Sequence, residues 1–170
     1  MEVRDKIINT LRATARENID LVIDYMLKHE FFTRSCHKHH RYVGGLADHA
    51  WQTYQIALSA AEKYNRTHSE AELIDLNGVA IASLLHDFCN CSGMRSISGH
   101  GGRSSKMLKA IGLHLSQQEF LAIRFHMSLR NKANHFLYQD ALHSTLRYIV
   151  HHADGKSARM HRGAEVRTDH

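Results

Sequence analysis

The 170-residue chain contains no proline. Proline interrupts helices because it has no N–H to donate and its ring clashes with the preceding turn. Its absence, with frequent Ala, Leu and Ile, leans the fold class to all-α. Cysteine is scarce as well: three residues, an odd number, which argues against a disulfide framework and suits a reduced compartment. Long apolar runs are missing. The longest near the centre, "VAIASLL", is far too short to span a bilayer. The opening "MEVRDKIINTLRATAREN" is polar and amphipathic, without the apolar stretch of a signal peptide. The expectation is a cytoplasmic protein with no membrane partner. A P-loop and a "GxSxG" nucleophile elbow are both absent.

What is present is a globular composition, 43% hydrophobic, enough for one domain over residues 1–160 followed by a polar, flexible tail at 161–170. Apolar residues recur at helical spacing over 3–29, including Ile7, Leu11, Ile19, Val22 and Met26. Further helices are expected over about 46–64, 70–88, 103–112, 116–127 and 138–154, with a loop over 89–102. Ser69 is a candidate N-cap, and "SQQE" at 116–119 reads as a capping box. The net charge of +5 favours anionic substrates by long-range attraction and supports nucleic-acid binding only weakly. The unusual excess is histidine, 16 residues. With no strand pattern and no nucleophile motif, chemistry falls to the histidines.

Six residues stand where helix ends and loops can point them into one hollow: His49, His86, Asp87, His100, His126 and Asp154. The apolar segment "LLHDF" closes on an adjacent His-Asp pair. A buried carboxylate needs compensating charge, and a metal ion supplies it. Imidazole with carboxylate suits one or two divalent ions of Mn, Fe, Ni, Co or Zn better than Ca, which prefers oxygen alone. Asp87 has two oxygens and can bridge a pair of ions, which at about 3.5–4 Å apart clamp a phosphate and acidify water.

Taken in order, "GGLADHAWQTY", "LLHDF", "GH" at 99–100, "RFH" at 124–126 and "HHAD" at 151–154 resemble the HD-domain superfamily of metal-dependent phosphohydrolases. The similarity spans about residues 33–158. It implies an all-α bundle with a central metal site. By the resemblance, His49, His86, Asp87 and Asp154 hold one ion, and Asp87, His100 and His126 a second. It further implies hydrolysis of a phosphate ester by a metal-activated water, with Asp87 guiding the proton. The partner is then a phosphorylated small molecule, a nucleotide being the favoured class, and a homo-oligomer stays open. Two alternatives stand beside it: a di-iron oxygenase on the same scaffold, and a non-catalytic module that binds metal or nucleotide.

One departure bears on substrate charge. Relatives of this kind often carry lysine where "HDFCN" has Asn90. Arg103 and Arg124 are the substitute cations, since guanidinium pairs well with phosphate. His39, in "HHRYVGGL", is similar to a histidine ahead of the first ligand in some HD hydrolases and is a candidate contact for the phosphate or leaving group. His151, one turn before Asp154, is read as orienting a ligand. Trp51 and Tyr42 are candidates for stacking a base, with packing the commoner use. Cys89 and Cys91 lack zinc spacing and read as small buried side chains. His37, His40, His143 and His152 are read as structural or surface residues.

Overall fold

A computed structural model describes residues 2–92, 99–127 and 135–165, with no side-chain description at 135, 136 and 162–165. Among the described residues there are eight α-helices, two 3-10 helices and no strand: α1 Val3–Ala13, α2 Ile19–Lys28, α3 Gly45–Asn65, α4 Leu76–Leu85, α5 His100–Ile111, α6 Gln117–Arg124, α7 His135–His143 and α8 Thr145–Glu165. The 3-10 helices are Glu70–Glu72 and Phe88–Ser92.

The single helix expected over 3–29 is two. Ala15 (φ 49°) and Asn18 (φ 62°) adopt left-handed conformations that end one helix and turn the chain into the next. Tertiary contacts outweigh the helical periodicity there. The Asn18 amide donates to the Gly112 carbonyl at 3.0 Å. Arg16 grips Glu119 with both terminal nitrogens, at 2.6 and 3.1 Å.

Other boundaries moved for equally local reasons. Ser69 and Glu72 do form a capping box, but it caps only a 3-10 turn. The long helix starts later, at Asp75, whose carboxylate accepts from the Asn77 and Gly78 amides at 2.9 and 3.1 Å. The expected 138–154 helix breaks at Ser144, which accepts from the Arg147 amide at 3.2 Å and so caps α8. Helix α8 then runs to Glu165, into the stretch expected to be a flexible tail. Helix α5 begins at His100, three residues before the expected start. Part of the expected 89–102 loop, residues 93–98, lies outside the described residues.

Helix α4 is the axis of the fold. Every residue from Gly78 to Leu85 is buried, including Val79, Ile81, Leu84 and Leu85, so it has no polar face. It packs against α1, α3, α6 and α8, and α3 packs along α8. Its C-terminal end therefore opens into the middle of the bundle. Two glycines let neighbours close on that point. A Cβ on Gly45 would stand 1.9 Å from the His40 carbonyl oxygen, and one on Gly101 would stand 2.4 Å from the Ile123 carbonyl oxygen. The loop before α3 and the end of α6 can thus come down onto the axis. Among the described residues, no helix is long and apolar enough to cross a membrane.

The Arg16–Glu119 pair ties the α1–α2 turn to α6 and gives a stability test. The Glu119 side chain is 1% exposed and that of Arg16 is 23% exposed. Arg16→Met should cost about 3 kcal/mol, because it strands a buried carboxylate. Urea unfolding measures this; an unchanged midpoint would contradict it. Replacing Glu119 by leucine in the same chain should recover part of the loss, less the capping bond that Glu119 makes to the Ser116 amide at 2.7 Å.

Candidate metal centre

The end of α4 turns His86 and Asp87 into the bundle. His86 Nδ1–H donates to the Ser83 carbonyl at 2.8 Å, and His126 Nδ1–H donates to the Ile123 carbonyl at 2.8 Å. Each ring folds back on the carbonyl three residues earlier, at a helix end where carbonyls lack helical partners. The same bond fixes the tautomer: with the proton on Nδ1, the Nε2 of both rings carries a lone pair facing inward.

The other donors arrive from α3, α5 and α8. His49, in the first turns of α3, places Nε2 3.2 Å from His86 Nε2 and 3.1 Å from Asp154 Oδ1. His100, the first residue of α5, places Nε2 3.0 Å from His126 Nε2. Asp87 stands between the two pairs. Its Oδ2 lies 3.8 Å from His86 Nε2, while its Oδ1 lies 3.2 Å from His100 Nε2 and 3.5 Å from His126 Nε2. The six residues read from the sequence as ligands are therefore one cluster, with one carboxylate oxygen of Asp87 toward each half.

Within it three triads bring ligand atoms within 4.8 Å of one another: His49, His86 and Asp87; His86, His126 and Asp154; and Asp87, His100 and His126. Each can hold a metal ion. The fit is chemical as well as spatial. Asp87 Oδ1 is buried beside two imidazole nitrogens yet is aligned for a hydrogen bond with neither. Buried polar atoms rarely stay unsatisfied, and an ion between these atoms satisfies Oδ1 and both nitrogens.

Protonation suits a cation too. Burial raises the Asp87 carboxyl, but the imidazoles around it, His86 foremost, hold it well below the ordinary range. Burial opposes ionisation of Asp154 likewise, and the His49 contact with its neighbours brings it down to about 2. Burial pushes His86 down to about 4 and lowers His100. For His126 burial disfavours the charged ring, but the Asp87 carboxylate outweighs it and raises the pKa.

The remaining sequence candidates lie around this cluster. The part-buried His39 ring is 4.5 Å from that of His49, centroid to centroid. Arg103 is part-buried in the first turn of α5, near enough to His100 to disfavour its protonation. The Arg124 guanidinium lies over the Phe120 and Phe125 rings, at 5.8 and 5.4 Å. It also flanks Gly102, where a Cβ would stand 3.3 Å from Nη1. His151 Nδ1–H donates to the His126 carbonyl, so it braces the ligand through backbone. Trp51 packs against the core beside Tyr54, with Lys6 over its ring, so it is placed for packing and not for stacking a base. Tyr42 donates its hydroxyl to Asp48 at 2.8 Å. Cys89 and Cys91 are free, buried thiols.

Three residues matter more than the sequence suggested. His40 is fully buried, with its ring 5.2 Å from that of His49. Ser157 meets His49 Nδ1 at 3.0 Å and donates to Gln52 Oε1 at 3.2 Å. Helical spacing carried the signal: Gln52 is three residues after His49 and Ser157 three after Asp154, so each shares a ligand's face. No family model, curated protein or solved structure matches the chain.

Metal analysis after loading with Mn²⁺ and dialysis tests the centre. Asp87→Ala should lose most bound ion, and wild-type stoichiometry in that variant would reject the assignment. Bound ion should be released as pH falls, because protons compete for the ligand nitrogens. Co²⁺ absorption that persists unchanged on acidification while the fold holds would contradict coordination by these imidazoles.

Proposed function

We propose that the chain is a metal-dependent phosphohydrolase of the HD-domain type, acting on a small phosphorylated substrate such as a nucleotide. The observation that carries the reading is the position of Asp87, which offers one oxygen to each of two groups of imidazoles. That is the donor arrangement a pair of ions sharing a carboxylate requires. Ions held there supply Lewis-acid polarisation of a phosphoryl oxygen and a water of lowered pKa.

The chain's own residues supply the rest. His49, His86 and Asp154 hold one side of the centre, and His100 and His126 the other, with Asp87 between them and positioned to guide a proton. Substrate anion is met at the α5 corner. Helix α5 begins at His100, so the positive end of its dipole faces the centre. Arg103 lies in that first turn, and Arg124 flanks Gly102 beside it. This concentration of positive charge stands in for a lysine at Asn90, whose side-chain oxygen is turned to the Cys89 thiol at 3.8 Å.

A panel of phosphate esters assayed with Mn²⁺, Ni²⁺ and Co²⁺ tests the proposal. Metal-dependent release of phosphate is expected. Full metal occupancy without hydrolysis of any ester would overturn it, and iron with an O₂-dependent spectrum would point instead to oxygenase chemistry. Arg103→Ala should leave metal content unchanged and lower kcat/KM about 10- to 150-fold, the equivalent of a charge-assisted contact worth about 1.5–3 kcal/mol. Full activity in both Arg103→Ala and Arg124→Ala would remove the arginine corner from the mechanism.

A further inference from the structure

Behind His49 runs a chain of hydrogen bonds that ends at His39. His49 Nδ1 meets Ser157 Oγ at 3.0 Å. Ser157 donates to Gln52 Oε1 at 3.2 Å. The same Gln52 oxygen lies 3.0 Å from His40 Nε2, and His40 Nδ1 lies 3.1 Å from His39 Nδ1. These contacts link α3, α8 and the loop that Gly45 lets approach.

The direction of each bond follows from the one before. An amide oxygen only accepts, so both Ser157 and His40 donate to Gln52. Ser157 has one proton. Having given it to Gln52, it must accept from His49 Nδ1–H, which leaves the lone pair of His49 on Nε2, facing His86 and Asp154. That is the tautomer a metal ligand needs. On the other branch, His40 gives its proton from Nε2 and keeps a lone pair on Nδ1. His39 must then donate from Nδ1, and its own lone pair falls on Nε2.

One other arrangement satisfies every contact of this chain, and the first differs from it in setting the His49 Nε2 lone pair against His86 Nε2 at 3.2 Å and Asp154 Oδ1 at 3.1 Å, where it needs a cation. A half-turn of the Gln52 amide presents its NH₂ to Ser157 and His40. Ser157 then donates to His49 Nδ1, and His49 carries its proton on Nε2, where Asp154 Oδ1 accepts it at 3.1 Å. His40 donates from Nδ1, and His39 carries its proton on Nε2. Each neutral group holds the same number of protons in both arrangements; only their positions differ. Mixed arrangements put two lone pairs or two protons into one contact.

We infer that Gln52, Ser157 and His40 are positioning residues that couple His49 to His39, so that the ligand tautomer of His49 makes His39 a hydrogen-bond acceptor at Nε2. His39 Nε2, on a ring 4.5 Å from that of His49, can then accept a hydrogen bond from a hydroxyl or water and cannot give one to a phosphate oxygen. The inference rests on the metal-centre reading for the role of His49 as a ligand. Its hydrogen-bond logic applies to the metal-free protein as well, and the test uses that difference.

Two-bond ¹H–¹⁵N correlation spectra distinguish the two tautomers of each neutral ring. They are recorded on metal-free and Zn²⁺-loaded protein, with the rings assigned through His39→Asn and His49→Asn. In the loaded wild type, His49 and His39 should both be Nδ1–H; His39 found as Nε2–H would overturn the coupling. Gln52→Glu replaces the amide by a group that only accepts. It should place a proton on His49 Nδ1 without metal, and a bare Nδ1 on that ring would overturn the chain. If that variant behaves as expected while Zn²⁺ perturbs no ring in the wild type, the metal reading fails and the chain stands. A binding titration gives an independent check. Ser157→Ala should weaken Zn²⁺ binding about 10- to 100-fold, and Ser157→Thr should restore it. Wild-type affinity in Ser157→Ala would overturn the positioning role.

Discussion

Everything at the centre of this bundle depends on one electrostatic constraint. Lone pairs from imidazoles and carboxylates are buried together, with too few protons to separate them. His86 and His126 have committed their ring protons to backbone carbonyls. Their remaining nitrogens face other imidazole nitrogens at 3.2 and 3.0 Å and the two oxygens of Asp87. An isolated cluster of this kind in an apolar interior is costly, because nothing inside it donates enough. Cations seated among these groups would satisfy it.

The scaffold is arranged to create that crowding. A helix as uniformly apolar as α4 belongs at the middle of a bundle, and it delivers its C-terminal residues there. Four other helices then present an end or a face to the same point, and two of them can do so only because Gly45 and Gly101 leave room for backbone. The "GG" ahead of His49 is thus a packing device. Gly44 takes the left-handed turn (φ 86°), and Gly45 admits the His40 carbonyl that carries His39 and His40 down over His49.

The candidate cluster was legible in the sequence as an ordered set of histidines and aspartates at helix ends and loops: His49, His86, Asp87, His100, His126 and Asp154. All six lie together in space. The helix boundaries were less legible. The break at Ala15–Asn18 leaves no mark in the hydrophobic period, since Leu11, Ile19 and Val22 stay in phase across it. It is imposed by partners about a hundred residues away, Gly112 and Glu119. Ser144 could have been read as a cap, but the apolar stripe on either side of it masked the change of axis. His40 was hidden for a similar reason. In "HKHHRY" nothing local separates a buried histidine from an exposed one, and only the missing Cβ of Gly45 decides it.

The polarity of the helix ends bears on the proposed chemistry. Helices α4 and α6 finish at the centre, at His86 and His126, so the negative ends of their dipoles point toward the site of a cation. Helices α3 and α5 start beside it, bringing His49 and His100 with the positive ends of theirs. An ion alone would be served by the first pair and by the carboxylates. The second pair, with Arg103 in the opening turn of α5, favours an anion next to that ion. On the proposed reading, a cation and a phosphate brought together at this centre would be served by both polarities, which lie side by side around Asp87.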